Sequence, residues 1–290
     1  MSKAVEARLA ATVILARDAG DSMELFMVVR HHQIDFASGA LVFPGGSATA
    51  SDRDPRVRAM SDGADGLNDD TLAANVAAIR ESFEECGVLY ARPNGSEDLV
   101  DGVRAAELGD KYRVDLEADK IGMADIAEAE GLRIAVDRMV HFAHWITPPH
   151  MPKRFDTHFF IAEAPMDHVL AHDGHENVDS VWITPLQACD DADAGTRTVI
   201  FPTRLNIEKV GQSPSVSAAI ARARKEPVVT VLPESEKVEG GRIMRIPEAA
   251  GYGAAELFVE GGSGKAARIR YPDGTERTTS IAMKPIHDVD

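Results

Sequence analysis

Glu81, Glu84 and Glu85 are the residues best placed to do chemistry in this chain, because they stand at relative positions 0, +3 and +4. On a helix those positions share one face, a turn apart. At about 100° per residue the three carboxylates fill an arc of roughly 100°. Val76, Ile79, Phe83 and Cys86 fall on the opposite side at apolar helical spacing. The spacing predicts a helix that buries one face and presents negative charge on the other. Like charges one turn apart repel by a few tenths of a kcal/mol even in solvent, and more in a cleft unless a cation joins them. Ligands that are all oxygen favour a hard divalent ion, Mg²⁺ or Mn²⁺. Arg80 precedes Glu84 by four residues and is placed to orient it. Taken alone, the same residues also suit a solvated acidic face. Asp69, Asp70 and Thr71 are cap candidates upstream, and Gly87 suits the position just past the C-terminus.

Upstream of this helix stands Phe43-Pro44-Gly45-Gly46, a strand end running into a Gly-Gly turn. Together with Arg80-Glu81-Ser82-Phe83-Glu84-Glu85-Cys86-Gly87-Val88 it resembles the Nudix box, G-x5-E-x7-R-E-U-x-E-E-x-G-U, where U is bulky and apolar. Arg80, Glu81, Glu84, Glu85, Gly87 and Val88 match. Ser82 departs, because a bulky residue belongs there. The first acidic position is Asp52, and 27 residues then precede Arg80 where the pattern has seven. The intervening segment is polar and rich in Asp and Gly, which predicts a surface-loop insertion over 53–70. An insertion here is a feature of the Nudix branch that cleaves coenzyme A and its thioesters.

Other stretches resemble the same branch. Arg30, Gly39 and Phe43–Gly46 keep the spacing of its additional signature, although His31 and Asp35 replace a small residue and an Arg. Trp145-Ile146-Thr147-Pro148 and Arg154-Phe155-Asp156-Thr157 resemble its W-x-T-P turn and R-F-D-T strand. Arg30 reads either as a surface residue or as a phosphate contact. Arg154 either pairs with an acid such as Asp156 or grips an anionic substrate. Phe201-Pro202-Thr203-Arg204 lies where related enzymes have a Pro-Thr turn near the substrate, which puts Arg204 among the substrate candidates. Glu176, in a polar loop before a strand, is a solvated acid or the fourth metal carboxylate found in several Nudix enzymes. The resemblance implies metal ligation by Glu81, Glu84, Glu85, Glu176 and the Gly46 carbonyl, with Glu81, Glu85 and Glu176 catalytic. Glu81 or Glu176 would be the general base. Arg80 and Gly87 are structural within the motif.

The fold implied is α/β, a Nudix α/β/α sandwich with a mixed sheet. Ala11–Arg17 and Glu24–Arg30 predict a hairpin, and Gly39–Phe43 a third strand. The helical spacing of 96–139 predicts an insertion of two or three helices. Met139–Thr147, Phe155–Ala164 and Val178–Ile183 read as strands. His141, His144 and His158 lie on these strands without zinc-type spacing, and are expected as core or rim histidines. The expected Nudix domain is 1–225. A β-rich extension over 226–290 follows, with strands at Pro227–Leu232, Gly241–Ile246, Glu256–Val259 and Ala267–Tyr271.

Composition bounds the partners. Of 290 residues 44% are hydrophobic, enough for a sizeable core, and no apolar run approaches a membrane span. A formal net charge of −16 argues against non-specific nucleic-acid binding, which needs Lys and Arg against phosphates. It is compatible with a small anionic diphosphate, since bound metal and a few local cations invert the sign inside a cleft. Two cysteines do not make a disulfide framework. Neither terminus carries a recognised targeting signal, and the expected location is the cytoplasm. A homodimer is left open. The expected reaction is hydrolysis of coenzyme A or an acyl-coenzyme A to 3′,5′-ADP and (acyl-)4′-phosphopantetheine. The alternatives are a Nudix hydrolase of a nucleotide sugar or dinucleotide, and a Nudix-fold binding module without catalysis.

Overall fold

The structure is a computed structural model that describes residues 5–30, 40–168, 177–253, 256–260 and 266–280. The chain opens with an antiparallel hairpin, β1 (Arg8–Ala19) and β2 (Ser22–Arg30), in the expected place. Two short strands follow, β3 (Leu41–Val42) beside β2 and β4 (Gly45–Ser47) beside β1. Later come β8 (Val140–Ile146), β9 (Phe155–Glu163), β10 (Asn177–Ile183) and β11 (Thr230–Val231). Together these make one mixed sheet in the order β10-β2-β1-β9-β8-β11, with β1 parallel to β9 and β8 parallel to β11.

The central strands are apolar on both faces because both are covered. Val13, Leu15, Phe26 and Val28 pack on the side of helix α2 (Asp69–Cys86). Ile14, Ala16, Leu25 and Met27 pack on the side of α6 (Phe201–Gly211) and α7 (Val216–Lys225). The alternation along β1 and β2 therefore assigns each side chain to one of two cores. The chain has the α/β/α sandwich that its motifs implied.

Helix α2 carries the acidic face. Asn68, one residue ahead of the expected candidates, caps it by accepting a hydrogen bond from the Thr71 backbone N–H. At the other end Gly87 takes φ 72°, a left-handed turn that a side chain would strain, and its N–H closes on Phe83 O. Ile79, Phe83 and Cys86 are fully buried against the sheet.

The 53–70 segment differs from the expected surface loop. It contains a short helix, α1 (Arg56–Ala59), and β5 (Ser61–Asp62), which pairs with β7 (Leu132–Ala135). β7 in turn pairs with β6 (Ala91–Pro93), making a small three-stranded sheet. Val57 and Ala64 are buried in the core under α2. The polar residues are consumed in pairing: Arg56 binds Asp54, Asp125 and Glu128, and Arg58 binds Asp69 and the carbonyl of Ala64. The 96–139 stretch supplies two helices, α3 (Gly102–Glu117) and α4 (Met123–Glu130), but its end is the strand β7 rather than helix.

After α5 (Pro185–Asp193), α6 and α7, five strands form an antiparallel meander: β12 (Glu234–Val238), β13 (Gly241–Arg245), β14 (Glu256–Glu260), β15 (Ala266–Arg270) and β16 (Glu276–Ser280). Two of these, β12 and β16, are charged and gave no hydrophobic alternation to read. The expected strand at Pro227–Leu232 is reduced to the two residues of β11. Leu257, Ala267 and Ile269 are buried in the core that holds α6 and α7. Among the described residues no helix is long and apolar enough to cross a membrane.

Candidate active site

Arg80 organises the acidic face of α2. Its guanidinium donates to Asp52 through Nε (3.0 Å) and Nη2 (3.0 Å), to Glu81 Oε1 (2.8 Å) and Glu84 Oε2 (3.0 Å) through Nη1, and to the Ser47 carbonyl (3.0 Å). Asp52 is 1% exposed and also accepts the Thr49 N–H. The interrupted motif is thus closed in space, with its first acidic position joined to its arginine across 28 residues of sequence. Burial works against the charge on Arg80, but Glu81, Asp52 and Glu84 outweigh it and hold its pKa above the ordinary value.

The carboxylates converge on the Gly-Gly turn. Glu85 Oε2 accepts the Gly45 N–H at 3.0 Å. Gly46 lies so close to Glu81 that a Cβ there would collide with its carboxylate and displace it. Glu81, Glu84 and Glu85 are all under 9% exposed. Burial is the largest influence on Glu84 and pushes its pKa up to about 8, with Arg80 opposing it. Its Oε1 is buried and has no hydrogen-bond partner. A buried, partnerless carboxylate oxygen beside two more carboxylates is a costly arrangement, with Arg80 bonded at Oε2 and no second cation at Oε1 among the described residues. The donor set is entirely oxygen and fits a hard divalent ion.

Beside this face lies a cleft of about 600 Å³. Gly46, Arg80, Glu81 and Glu84 line it, with Thr12, Thr157 and Phe159 from the sheet. The Trp145–Pro148 turn and Phe201, Pro202 and Thr203 add further wall. So do Arg242, Met244, Leu257 and Val259, which come from β13 and β14 of the C-terminal meander. The lining is largely apolar away from the carboxylates, with His150, Lys153 and Arg242 as its other basic groups.

The remaining expected residues fall elsewhere. Arg154 does not line the cleft, although its neighbours Lys153 and Phe155 do. Its guanidinium donates to the carbonyls of Thr147 (3.0 Å) and Val5 (2.6 Å), which makes it a backbone clamp rather than a substrate contact. Arg204 is 1% exposed and bound to Asp193, Glu208 and the Thr278 carbonyl, tying α5 and α6 to β16. On α6 the cleft takes Phe201, Pro202 and Thr203, and Arg204 leaves the other way. Arg30 ends β2, and its side chain lies outside the described residues, as do Glu176, Gly39, His31 and Asp35. Sequence reasoning missed Lys153 and Arg242. Lys153 stood beside a more recognisable Arg, and Arg242 belongs to no motif.

A mixed sheet, a carboxylate helix and a Gly-Gly turn closed by an Arg–Asp pair are the parts of a Nudix site. The chain belongs to the Nudix family: the family model described as the NUDT19 Nudix domain matches residues 58–205, just over half of its length. It is similar to the acyl-coenzyme A diphosphatase NUDT19 of Xenopus laevis, 24% identical over 206 residues, which cover 58% of this chain and 54% of that protein. It is also similar to a Caenorhabditis elegans protein provisionally named nudix hydrolase 7, 26% identical over 205 residues, 71% of this chain and 61% of the other. The chain thus spans less than two thirds of the length of these relatives. Among solved structures, a NUDIX hydrolase from Alicyclobacillus acidocaldarius superposes with a TM-score of 0.62 at 25% identity, covering 75% of this chain and 96% of that one.

Proposed function

We propose that this protein is a metal-dependent pyrophosphohydrolase whose substrate is coenzyme A or an acyl-coenzyme A. Water would divide it into 3′,5′-ADP and 4′-phosphopantetheine or its acyl form. The observation that carries the metal-dependent part is Glu84 Oε1, buried and unpartnered among three carboxylates on one helix face. Glu81, Glu84, Glu85 and the Gly46 carbonyl would hold Mg²⁺ or Mn²⁺. Such an ion, when bound, neutralises diphosphate oxygens and lowers the pKa of a coordinated water. The protein's own part is positioning. Arg80 holds Glu81 and Glu84 in register, and the Gly45 N–H fixes the Glu85 carboxylate. Glu81, against Gly46, is our candidate to accept the proton of the attacking water, and Glu176 is the alternative. The water oxygen bonds to one phosphorus, the bridging P–O bond breaks, and its electron pair leaves with the second phosphate.

The coenzyme A reading rests on three supports. The first is the printed activity of the Xenopus relative. The second is the run of motifs around Phe43–Gly46, Trp145–Pro148 and Arg154–Thr157. The third is the cleft, which sets Lys153 and Arg242 beside an apolar wall of Trp145, Met244, Leu257 and Val259. Coenzyme A thioesters carry phosphates at one end and an extended apolar tail at the other, whereas nucleotide sugars and dinucleotides offer that wall only base and sugar rings. Lys153 and Arg242 replace Arg154 and Arg204 as our phosphate-binding candidates.

The test is product identification. With Mg²⁺, wild-type protein given coenzyme A or an acyl-coenzyme A should release 3′,5′-ADP, seen by mass spectrometry. A chelator should abolish it. Absence of product from both compounds with Mg²⁺ and with Mn²⁺ would contradict the reading.

A further inference from the structure

Strand β9 alternates between two environments. Phe155, Thr157 and Phe159 line the cleft, while Asp156 and His158 project to the opposite face of the sheet. Across the antiparallel pair with β8, His144 stands opposite His158, and Ile146 opposite Asp156. One donor atom from each of His144, Asp156 and His158 lies within 4.8 Å of the others. The two imidazoles are stacked, with centroids 4.2 Å apart and planes 18° from parallel. His144 and Asp156 are half-buried, and His158 is 9% exposed.

What distinguishes this cluster is the state of the ring nitrogens. His144 Nδ1 is engaged by Thr230 Oγ1 at 2.8 Å, and His158 Nδ1 by His141 Nε2 at 3.1 Å. Both Nε2 atoms are left facing one carboxylate: His144 Nε2 bonds Asp156 Oδ1, and His158 Nε2 lies 4.0 Å from the same oxygen. Metal-binding histidines have this form, with one nitrogen directed to the ion and the other held by an outer partner that fixes tautomer and ring. Ordinary sheet histidines need neither two such outer partners nor a shared carboxylate.

We propose that His144, His158 and Asp156 form a second metal site, for a divalent transition-metal ion of the Zn²⁺ type. Two imidazoles and a carboxylate suit Zn²⁺, Co²⁺ or Ni²⁺ rather than Mg²⁺, so the site is chemically separate from the all-oxygen face of α2. Entry of the ion exchanges the direct His144–Asp156 bond for two metal bonds, and water completes the coordination. The ion ties β8 to β9 and, through Thr230, to β11 at the sheet edge. The site does not depend on which diphosphate the cleft takes. Sequence spacing could not find it, because its ligands meet across two strands instead of along one.

The test uses the full chain, stripped with chelator and dialysed against Zn²⁺ in a large excess of Mg²⁺ so that the oxygen site is saturated. Wild type should retain one equivalent of Zn²⁺ and unfold at a higher temperature with it than without it. The Glu85→Gln variant should retain the same equivalent. His158→Gln and Asp156→Asn should lose it, and Thr230→Val should weaken it by about 10-fold or more through the outer partner alone. Co²⁺ added to wild type should give the visible absorption of a low-coordinate His-ligated site, bleached by Zn²⁺, and this readout needs no variant to fold. Wild type that holds no Zn²⁺ under these conditions, or His158→Gln and Asp156→Asn proteins that hold it as well as wild type, would overturn the proposal.

Discussion

Asp52 and Arg80 show how much a single pair can decide. Arg80 bonds both Glu81 and Glu84, and it is 4% exposed. Removing it takes the guanidinium away from buried Asp52, Glu81 and Glu84, which costs far more than losing an exposed ion pair would. Arg80→Ala should therefore lower unfolding stability by about 3–5 kcal/mol in urea melts without added divalent ion. Glu85→Gln keeps the shape of the side chain and the contact to the Gly45 N–H. It should fold like wild type and lose on the order of 10²-fold in kcat. Near wild-type turnover in saturating Mg²⁺ would remove Glu85 from the site. Arg154→Ala belongs to a different class, because its bonds go to the carbonyls of Thr147 and Val5. It should lower stability by about 1–3 kcal/mol and leave KM near its wild-type value. A raised KM at unchanged stability would return Arg154 to the substrate.

At the scale of elements, legibility followed locality. Helix α2 could be read because its face, its apolar stripe and Gly87 all lie within one helix, where spacing is geometry. Arg204 was misplaced for a related reason. The motif located its helix correctly, but one residue along a helix is about 100° of rotation, enough to turn Arg204 from the cleft to Asp193 and Glu208. The 53–70 segment was misread because Asp- and Gly-rich composition does not separate solvated polar groups from paired ones. Its structure rests on Val57, Ala64 and the Arg56 contacts to α4, all of them long-range. Replacing 53–66 by a short Gly/Ser linker changes loop entropy by only a fraction of a kcal/mol. It also strips buried side chains from beneath α2 and removes β5. The shortened protein should therefore melt many degrees below wild type or fail to fold, and an unchanged melting temperature would reinstate the surface-loop reading. His144 and His158 were read as core or rim histidines because nothing in their spacing points to Asp156 or Thr230. These residues are neighbours only once β8, β9 and β11 are side by side.

For the whole molecule, the C-terminal meander changes what the cleft is. Arg242, Met244, Leu257 and Val259 lie beyond the segment matched to the family model, yet they wall the same cavity as Glu81 and Glu84. Arg242 bonds Ser235 Oγ (2.8 Å), and among the described residues it has no acidic partner. Its charge is available to a phosphate in a protein whose net charge is −16. Met244→Glu places a carboxylate in the apolar wall, and should raise KM for an acyl-coenzyme A more than for coenzyme A while leaving metal-dependent turnover measurable. Equal effects on both substrates would put the acyl chain elsewhere. We propose that the Nudix carboxylate face and a largely apolar cleft carrying Lys153 and Arg242 together select coenzyme A-type diphosphates. The decisive comparison is kcat/KM on one preparation, in Mg²⁺, for coenzyme A, an acyl-coenzyme A, ADP-ribose, a diadenosine polyphosphate and NADH. A coenzyme A compound should lead the other three by about tenfold or more. A lead of that size for ADP-ribose, the diadenosine compound or NADH would contradict the proposal.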